Sequence, residues 1–158
     1  MSGRKKSFGR SSARGFSIIE LCIALTISLV MMGVAVPIVR QTTALFRLNG
    51  AVSSVTGAIR TTRYQALMKG YPYRLAITPS TRQYQLLNDP ERDGTFANTG
   101  TAVPITSSAA TISAATTLEF RPNGRVVATT GAMNLNLTYN GTTKTIAVSN
   151  YGNVTVTP

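Results

Sequence analysis

The residues able to do chemistry are few, and their types exclude most kinds of active site. The chain has 158 residues, with no histidine, one cysteine and five acidic residues. Without histidine there can be no Ser–His–Asp or Cys–His relay and no histidine-bearing zinc or haem site. One cysteine can form neither an internal disulfide nor a pair of metal-binding thiolates. We therefore expect no catalytic residue, no cofactor and no metal, and we do not expect an enzyme.

Positive charge is the chemistry that this sequence does carry. Sixteen Lys and Arg residues against five Asp and Glu residues give a net charge of +11. Residues 1–15 contain five basic residues and no acid, and residues 21–88 contain no acid at all. Such blocks suggest phosphate partners, either lipid headgroups or nucleic acid. A solvated charged face is the alternative interpretation of the central block.

One short run of acids has the spacing of a cation site. Asp89, Glu91 and Asp93 alternate and precede Gly94, as in the first part of a calcium loop. A complete loop would have glutamate at its twelfth position, which here is Gly100. We expect a solvated turn between strands.

A single carboxylate, Glu20, stands in a segment where charge is costly. It is the only charged residue of residues 16–39, and residues 21–39 are 19 positions without a charge. At about 1.5 Å per residue, a helix over those positions would be about 28 Å long, close to the hydrocarbon core of about 30 Å. The basic residues before this segment outnumber those shortly after it, which places the N-terminus in the cytoplasm. The sequence predicts a single-pass membrane protein with residues 40–158 on the far side.

Other targeting signals fit this segment less well. A secretory signal has an apolar core of about 7–15 residues followed by small residues at the cut, whereas this run is longer and ends near Pro37. A lipoprotein signal would need small residues before Cys22, where Glu20 and Leu21 stand. A plain uncleaved anchor stays open, but it gives no role to Glu20, whose burial in a membrane helix costs about 2.5–3.5 kcal/mol.

The start of the segment, GFSIIE at residues 15–20 after a basic leader, resembles the type IV prepilin signal. The resemblance implies that prepilin peptidase cleaves between Gly15 and Phe16 and methylates the new amine of Phe16. It implies that Glu20 pairs with the N-terminal amine of a neighbouring subunit and sets the register of a filament. It also implies a helix kink around Gly33 and Pro37, since proline removes the hydrogen bond to the fourth residue before it.

The helical pattern continues beyond the apolar segment. Apolar residues recur in steps of three and four up to the stop signal at Gly70, which predicts one helix over residues 16–69. Its second half, residues 40–69, would be amphipathic and lie across a sheet. The predicted stripe comprises Leu45, Leu48, Val52, Val55, Ile59, Thr62 and Ala66.

The remainder is predicted to form antiparallel strands, so that the fold class is α+β with a β head over residues 70–158. Two Asn-Gly steps, at Asn123 and Asn140, are typical of tight hairpins. Residues 95–117 are rich in Thr, Ala, Ser and Gly and are expected to be a long loop with one weak strand. The predicted strands cover residues 73–77, 83–87, 117–120, 125–128, 134–139, 143–148 and 153–157.

This head resembles the GspH/FimT family of minor pilins and type II secretion pseudopilins. The resemblance is carried by FRPNG at residues 120–124 and IAVSNYG at residues 146–152. It implies a type IV pilin-like subunit of a pilus or of a secretion pseudopilus, partnered by other pilins and by an assembly platform. The domains would be a cleaved leader (1–15), a transmembrane helix (16–39) in the bacterial inner membrane, its amphipathic continuation (40–69) and a periplasmic head.

A filament-borne module that captures DNA or a secreted protein is the alternative function. Family members associated with DNA uptake carry Gly-Arg-x-Arg near the C-terminus, whereas the segment that begins at Gly152 has no arginine. Since affinity for nucleic acid rises with the number of neutralised phosphates, DNA is the secondary expectation. The candidate contacts are Arg121, Arg125 and Lys144.

Overall fold

The computed structural model describes residues 15–105 and 110–158, so the leader before Gly15 lies outside the described residues. These residues form one helix followed by antiparallel strands, and the α+β prediction is confirmed. The elements are α1 (Ile18–Lys69), β1 (Tyr73–Thr78), β2 (Gln83–Asn88), β3 (Ala97–Asn98), β4 (Val103–Pro104), β5 (Thr111–Ile112), β6 (Thr116–Phe120), β7 (Val126–Thr130), β8 (Asn134–Tyr139), β9 (Thr142–Val148) and β10 (Val154–Thr157).

Helix α1 ends where the sequence indicates. Gly70 has a φ of 75°, a conformation that glycine adopts without steric cost at a helix C-terminus, and its N–H donates to the carbonyl of Ala66. Lys69 in the last turn complements the helix dipole. The chain divides between Val39 and Arg40 into two compact units, which are described separately below.

The first unit contains the apolar part of α1. Every residue of the range 15–39 is exposed, and among the described residues α1 is the one helix long and apolar enough, by length and composition, to cross a membrane. Its hydroxyls donate within the helix, from Thr26 to the carbonyl of Ile23 and from Ser28 to that of Ala24. The polar groups of these two side chains therefore need no partner from the surroundings.

The second unit contains two antiparallel sheets around the rest of α1. One has the strand order β3-β2-β1-β6-β7, with β4 also pairing with β2, and the other has the order β10-β9-β8-β5. Both predicted hairpins form, β6–β7 and β8–β9. Asn140 and Gly141 make the two-residue turn of the second with φ values of 49° and 79°, as a tight hairpin turn requires. The division into two sheets has no signal in the sequence.

The core lies between α1 and the inner faces of the strands. In β1, Tyr73, Leu75 and Ile77 are buried while the alternate residues are less so, as expected for a sheet with one face on a core. The predicted stripe of α1 is confirmed except at Leu45, which is 47% exposed because burial begins one turn later. The buried residues of α1 are Leu48, Ala51, Val52, Val55, Ala58, Ile59, Thr62 and Ala66.

The prediction of one weak strand in residues 95–117 was wrong. Three strands of two residues each, β3, β4 and β5, lie in this region. They are held by pairing with β2 and β8, and a pair of residues is too short to show the alternation from which strands are predicted. Residues 106–109 lie outside the described residues.

Candidate functional site

The segment predicted to be the processing site lies at the start of the described chain. Gly15, Phe16 and Ser17 precede α1, and Phe16 is 84% exposed. The first turn is closed by the N–H of Leu21, which donates to the carbonyl of Ser17 at 3.1 Å. Glu20 lies in that first turn, where a carboxylate complements the positive end of the helix dipole. The three residues with predicted roles, Gly15, Phe16 and Glu20, thus lie within six consecutive residues at the start of the described chain.

The two residues predicted to kink the helix lie inside α1. Pro37 has helical residues on both sides, and a side chain at Gly33 would meet nothing within 4 Å. Because proline has no N–H, the carbonyl of Gly33 lacks its usual intrahelical donor. The kink itself stays a prediction.

The three candidate DNA contacts do not lie together. Lys144 on β9 donates to the side chain of Asn49 at 2.7 Å, near the beginning of the buried part of α1. Arg121 and Arg125 flank the β6–β7 turn and share a backbone hydrogen bond; in that turn, a Cβ at Gly124 would lie 3.9 Å from Leu67. Along α1, Asn49 and Leu67 are about 27 Å apart at the usual rise per residue. Lys144 is therefore remote from the other two.

A basic surface on the second half of α1 was not predicted from the sequence. Arg60, Arg63, Tyr64 and Leu67 line a cavity of about 230 Å³ on the second half of α1. Arg63 also reaches the C-terminal loop, where its Nη1 donates to the carbonyl of Gly152 at 3.4 Å. Arg63, Tyr64 and Leu67 follow Arg60 by three, four and seven positions. This spacing places side chains on one helix face and could have revealed the surface.

The C-terminal loop, which contacts this surface through Gly152, carries an exposed aromatic residue. Tyr151, beside Gly152, is 72% exposed, and Tyr64 on the helix is 63% exposed. The β6–β7 turn adjoins the same loop, because the N–H of Val126 donates to the carbonyl of Asn150 at 2.8 Å. We call the set Arg60, Arg63, Tyr64, Arg125 and Tyr151 the helix-side basic surface.

A cluster of ion pairs occupies the outer face of the first sheet. Arg74 and Glu119 are directly opposite in the β1–β6 register, and the Nη2 of Arg74 lies 2.8 Å from Glu119 Oε2. Arg121 donates from Nε to Glu119 Oε1 at 3.1 Å. Burial by itself would raise the pKa of Glu119, but the hydrogen bonds and charges of Arg74 and Arg121 outweigh it and hold that pKa below its usual value. Glu119 is therefore a fixed anion at neutral pH.

The cluster lines a cleft with the β2–β3 loop. The guanidinium of Arg74 lies 3.6 Å from the centre of the Phe96 ring, a cation–π contact. The cavity measures about 610 Å³. We call it the arginine cleft; its lining comprises Pro72, Arg74, Asp89, Arg92, Gly94, Phe96, Glu119, Arg121, Pro122 and Asn123. Sequence reasoning missed it because β1 and β6 are far apart along the chain.

The acidic turn is not fully solvated, which corrects the expectation. Asp89 is 2% exposed, and its two carboxylate oxygens accept hydrogen bonds from the N–H groups of Asp93 and Gly94 at 3.3 and 2.9 Å. The carboxylate orders the turn in the manner of an Asx motif. Within residues 15–105 and 110–158, no group of three or more Cys, Asp or Glu side chains could hold a metal ion.

Comparison with known proteins identifies a family. Residues 51–152 match the family model of the type II transport protein GspH. Comparison with curated proteins found no match. Among solved structures, the minor pseudopilin EpsH from the type 2 secretion system of Vibrio cholerae matches with a TM-score of 0.49 and 11% identity, over 66% of this chain and 91% of that chain. Because the family model matches more than half of this chain, the chain belongs to the GspH family of type II transport proteins.

Proposed function

We propose that this protein is a minor pilin or pseudopilin, a structural subunit of a type IV pilus-like filament. The observation that carries the proposal is the exposed apolar half of α1, with Glu20 in its first turn, in a chain whose head belongs to the GspH family. An apolar helix of this length is suited to a bilayer or to the apolar surface of other helices. A filament subunit needs both, first while it is anchored and then after assembly.

Processing by prepilin peptidase is part of this proposal. Cleavage between Gly15 and Phe16 would remove 15 residues and create an α-amino group, methylated in the mature subunit, one helical turn from Glu20. Gly15 has open space around the position of a Cβ, and a residue without a side chain allows a peptidase to approach the backbone closely. The excess of basic residues before α1 supports a cytoplasmic N-terminus, a span in the bacterial inner membrane and a head in the periplasm.

Glu20 would act between subunits. It is exposed in the first turn of α1, so a neighbour's amine can reach it. A charge pair that forms only when two subunits are aligned specifies register more than it adds stability. The partners in this role are other pilins or pseudopilins and the inner-membrane assembly platform.

Mass spectrometry of the membrane-extracted protein tests the proposal. In cells with active prepilin peptidase, the intact mass should correspond to residues 16–158 with one added methyl group. Gly15→Val should accumulate as an inserted, uncleaved precursor, whereas the matched Gly33→Val should be processed normally. A mature chain that still begins at residue 1 or 2 would contradict the proposal, as would normal processing of Gly15→Val.

Capture of DNA is a second candidate, favoured by the helix-side basic surface. It combines three arginines with two exposed tyrosines, and such surfaces bind single strands through phosphate contacts and base stacking. Arg63→Gln together with Arg125→Gln should weaken binding of a labelled oligonucleotide and reduce its salt dependence, while Arg82→Gln, on the β1–β2 turn, should not. Equal binding by all three proteins would exclude this surface.

A further inference from the structure

The arginine cleft combines positive charge with apolar walls. Arg74, Arg92 and Arg121 contribute three positive charges, and Asp89 and Glu119 contribute two negative ones. Phe96, Pro72 and Pro122 supply apolar surface to the same cavity. Its volume of about 610 Å³ lies within the range of ligand sites, about 300–1,000 Å³.

The acids of the cleft have their oxygens engaged, whereas two of its arginines, Arg92 and Arg121, keep unused donors. Both oxygens of Glu119 accept from arginines, and both oxygens of Asp89 accept from backbone N–H groups. The acids are therefore poorly placed to bind a cation, because their acceptors are used within the fold.

Arginine donors are left over at the same place. A guanidinium has five N–H donors. Among the described residues, Arg121 uses Nε for Glu119 and has no partner for its two terminal amino groups, and Arg92 engages only the carbonyl of Gly70 through Nη2. Both side chains are accessible, since the Arg121 side chain is 50% exposed and Arg92 is also exposed. The surplus is one of donors and of positive charge.

We propose that the arginine cleft binds a carboxylate-bearing segment of a partner protein, with the carboxylate on Arg92 and Arg121 and a neighbouring apolar side chain against Phe96 and the prolines. A planar guanidinium pairs with a carboxylate through two parallel hydrogen bonds. The excess of one positive charge in the cleft matches one carboxylate. The site lies wholly in the head, so it does not depend on the filament role.

The surroundings of the cleft disfavour a polyanion such as DNA. Glu91 and Asp93 are exposed on the turn that begins at Asp89, and with Asp89 and Glu119 they are all the acids that follow Glu20 in the chain. Closely spaced phosphates would meet this local negative charge, whereas an isolated carboxylate can fit between it and the arginines. The cleft and the helix-side basic surface thus differ in the anion they suit.

The test is a titration of the full chain in detergent with a labelled peptide, acetyl-Ala-Phe-Glu-Ala-Phe-Glu-Ala-amide, up to about 1 mM. Its neutral twin carries Gln in place of both Glu residues. We expect saturable anisotropy with the acidic peptide and binding weaker by about tenfold or more with the neutral one. Arg92→Gln and Arg121→Gln should each weaken binding of the acidic peptide by a similar factor, and Arg82→Gln should leave it unchanged.

Two further variants keep the result interpretable. Arg121→Gln also removes a hydrogen bond to Glu119, whereas Arg92→Gln removes only the hydrogen bond to the Gly70 carbonyl and is therefore the decisive variant. Arg92→Lys should recover only part of the affinity, because lysine keeps the charge but lacks the paired donors of a guanidinium. The proposal is overturned if wild type does not bind, if both peptides bind equally, or if Arg92→Gln binds like wild type. It is also overturned if a single-stranded oligonucleotide displaces the peptide at lower concentration than unlabelled peptide does, since the cleft would then be a nucleic-acid site.

Discussion

The two halves of α1 are both rich in apolar residues, but among the described residues they differ in burial. From Leu48 to Ala66 the apolar stripe is buried against the strands, while every residue from 18 to 39 is exposed. The second half is amphipathic and needs only one covered face. The first half is apolar on all sides, and under the proposed function a bilayer or other subunits cover it. Under the proposed function, one helix thus serves folding at one end and association at the other.

The largest effect that would test this division is expected at Glu20. Glu20→Ala should leave the melting of the head unchanged, because Glu20 lies outside the folded core, but it should impair assembly. A neighbour's amine buried without a partner costs about 3–5 kcal/mol, roughly two orders of magnitude or more in association. Cross-linking to other pilins and a thermal melt of the same full-length sample measure both properties.

Leu25→Ala, in the same span and without a charge, is the matched control and should assemble better than Glu20→Ala. If Glu20→Ala assembles as well as the wild-type protein, Glu20 does not set the register between subunits. A mild defect would favour a position at the filament tip, where no neighbour lies above the subunit.

The next effect compares equal truncations in the two halves. Leu48→Ala removes a side chain that is 0% exposed, whereas Leu29 is 67% exposed. A buried Leu→Ala change costs about 2–5 kcal/mol in the free energy of unfolding. Urea unfolding of the full chain in detergent should show that loss for Leu48→Ala and none for Leu29→Ala. Equal losses would mean that the first half also contributes to the folded core.

Part of the acid sensitivity of the head should arise from Glu119. The pKa of Glu119 is held below its usual value. The contribution of its ionised carboxylate to the free energy of unfolding is therefore fully present above the unfolded-state pKa of about 4.3, and it is lost as the pH falls through the folded-state pKa. Hydrogen bonds to charged groups contribute about 1.5–3 kcal/mol. Glu119→Gln should lose stability at pH 7 and show a flatter decline between about pH 5 and 3.

Unfolding curves at a series of pH values measure this, with Glu20→Gln as the control. An unchanged acid profile in Glu119→Gln would assign the acid sensitivity to another group.

The smallest effect concerns the contact between α1 and the C-terminal loop. Gly152 and Gly141 have φ values of 73° and 79°, so alanine is strained at both by about 1–2 kcal/mol. Only at Gly152 would the added Cβ meet a side chain, 2.6 Å from Arg63 Cδ. Because Arg63 can move, Gly152→Ala should lose only about 0.5–1 kcal/mol more than Gly141→Ala in chemical unfolding. Identical losses would show that this contact adds nothing.

The sequence predicts the features that depend on neighbouring residues. Periodicity gives the buried stripe of α1, and the Asn-Gly steps give both hairpins. The predicted burial of Leu45 is wrong, because the apolar pattern continues one turn beyond the part of α1 that the head covers. The family of the head could likewise be recognised from short runs of residues, while the processing segment stays a prediction.

The features that were missed depend on residues far apart. Arg74 and Glu119 meet because β1 skips the intervening strands to pair with β6, and neither residue is distinctive in its own segment. The split into two sheets and the short strands β3–β5 are set by the same long-range pairing. The helix-side basic surface is the exception, because the spacing of Arg60, Arg63 and Tyr64 was visible in the sequence.

The β1–β6 pairing also has a consequence for the order of folding. The hairpins β1–β2, β6–β7 and β8–β9 close short loops, whereas Arg74 and Glu119 are 45 residues apart and closing that larger loop costs more chain entropy. We expect the hairpins to form early and the junction between β1 and β6 to form late, with the ion pair added after the transition state. In stopped-flow kinetics, Glu119→Gln should then accelerate unfolding and leave refolding nearly unchanged. Slower refolding of this variant would instead make the junction part of the folding nucleus.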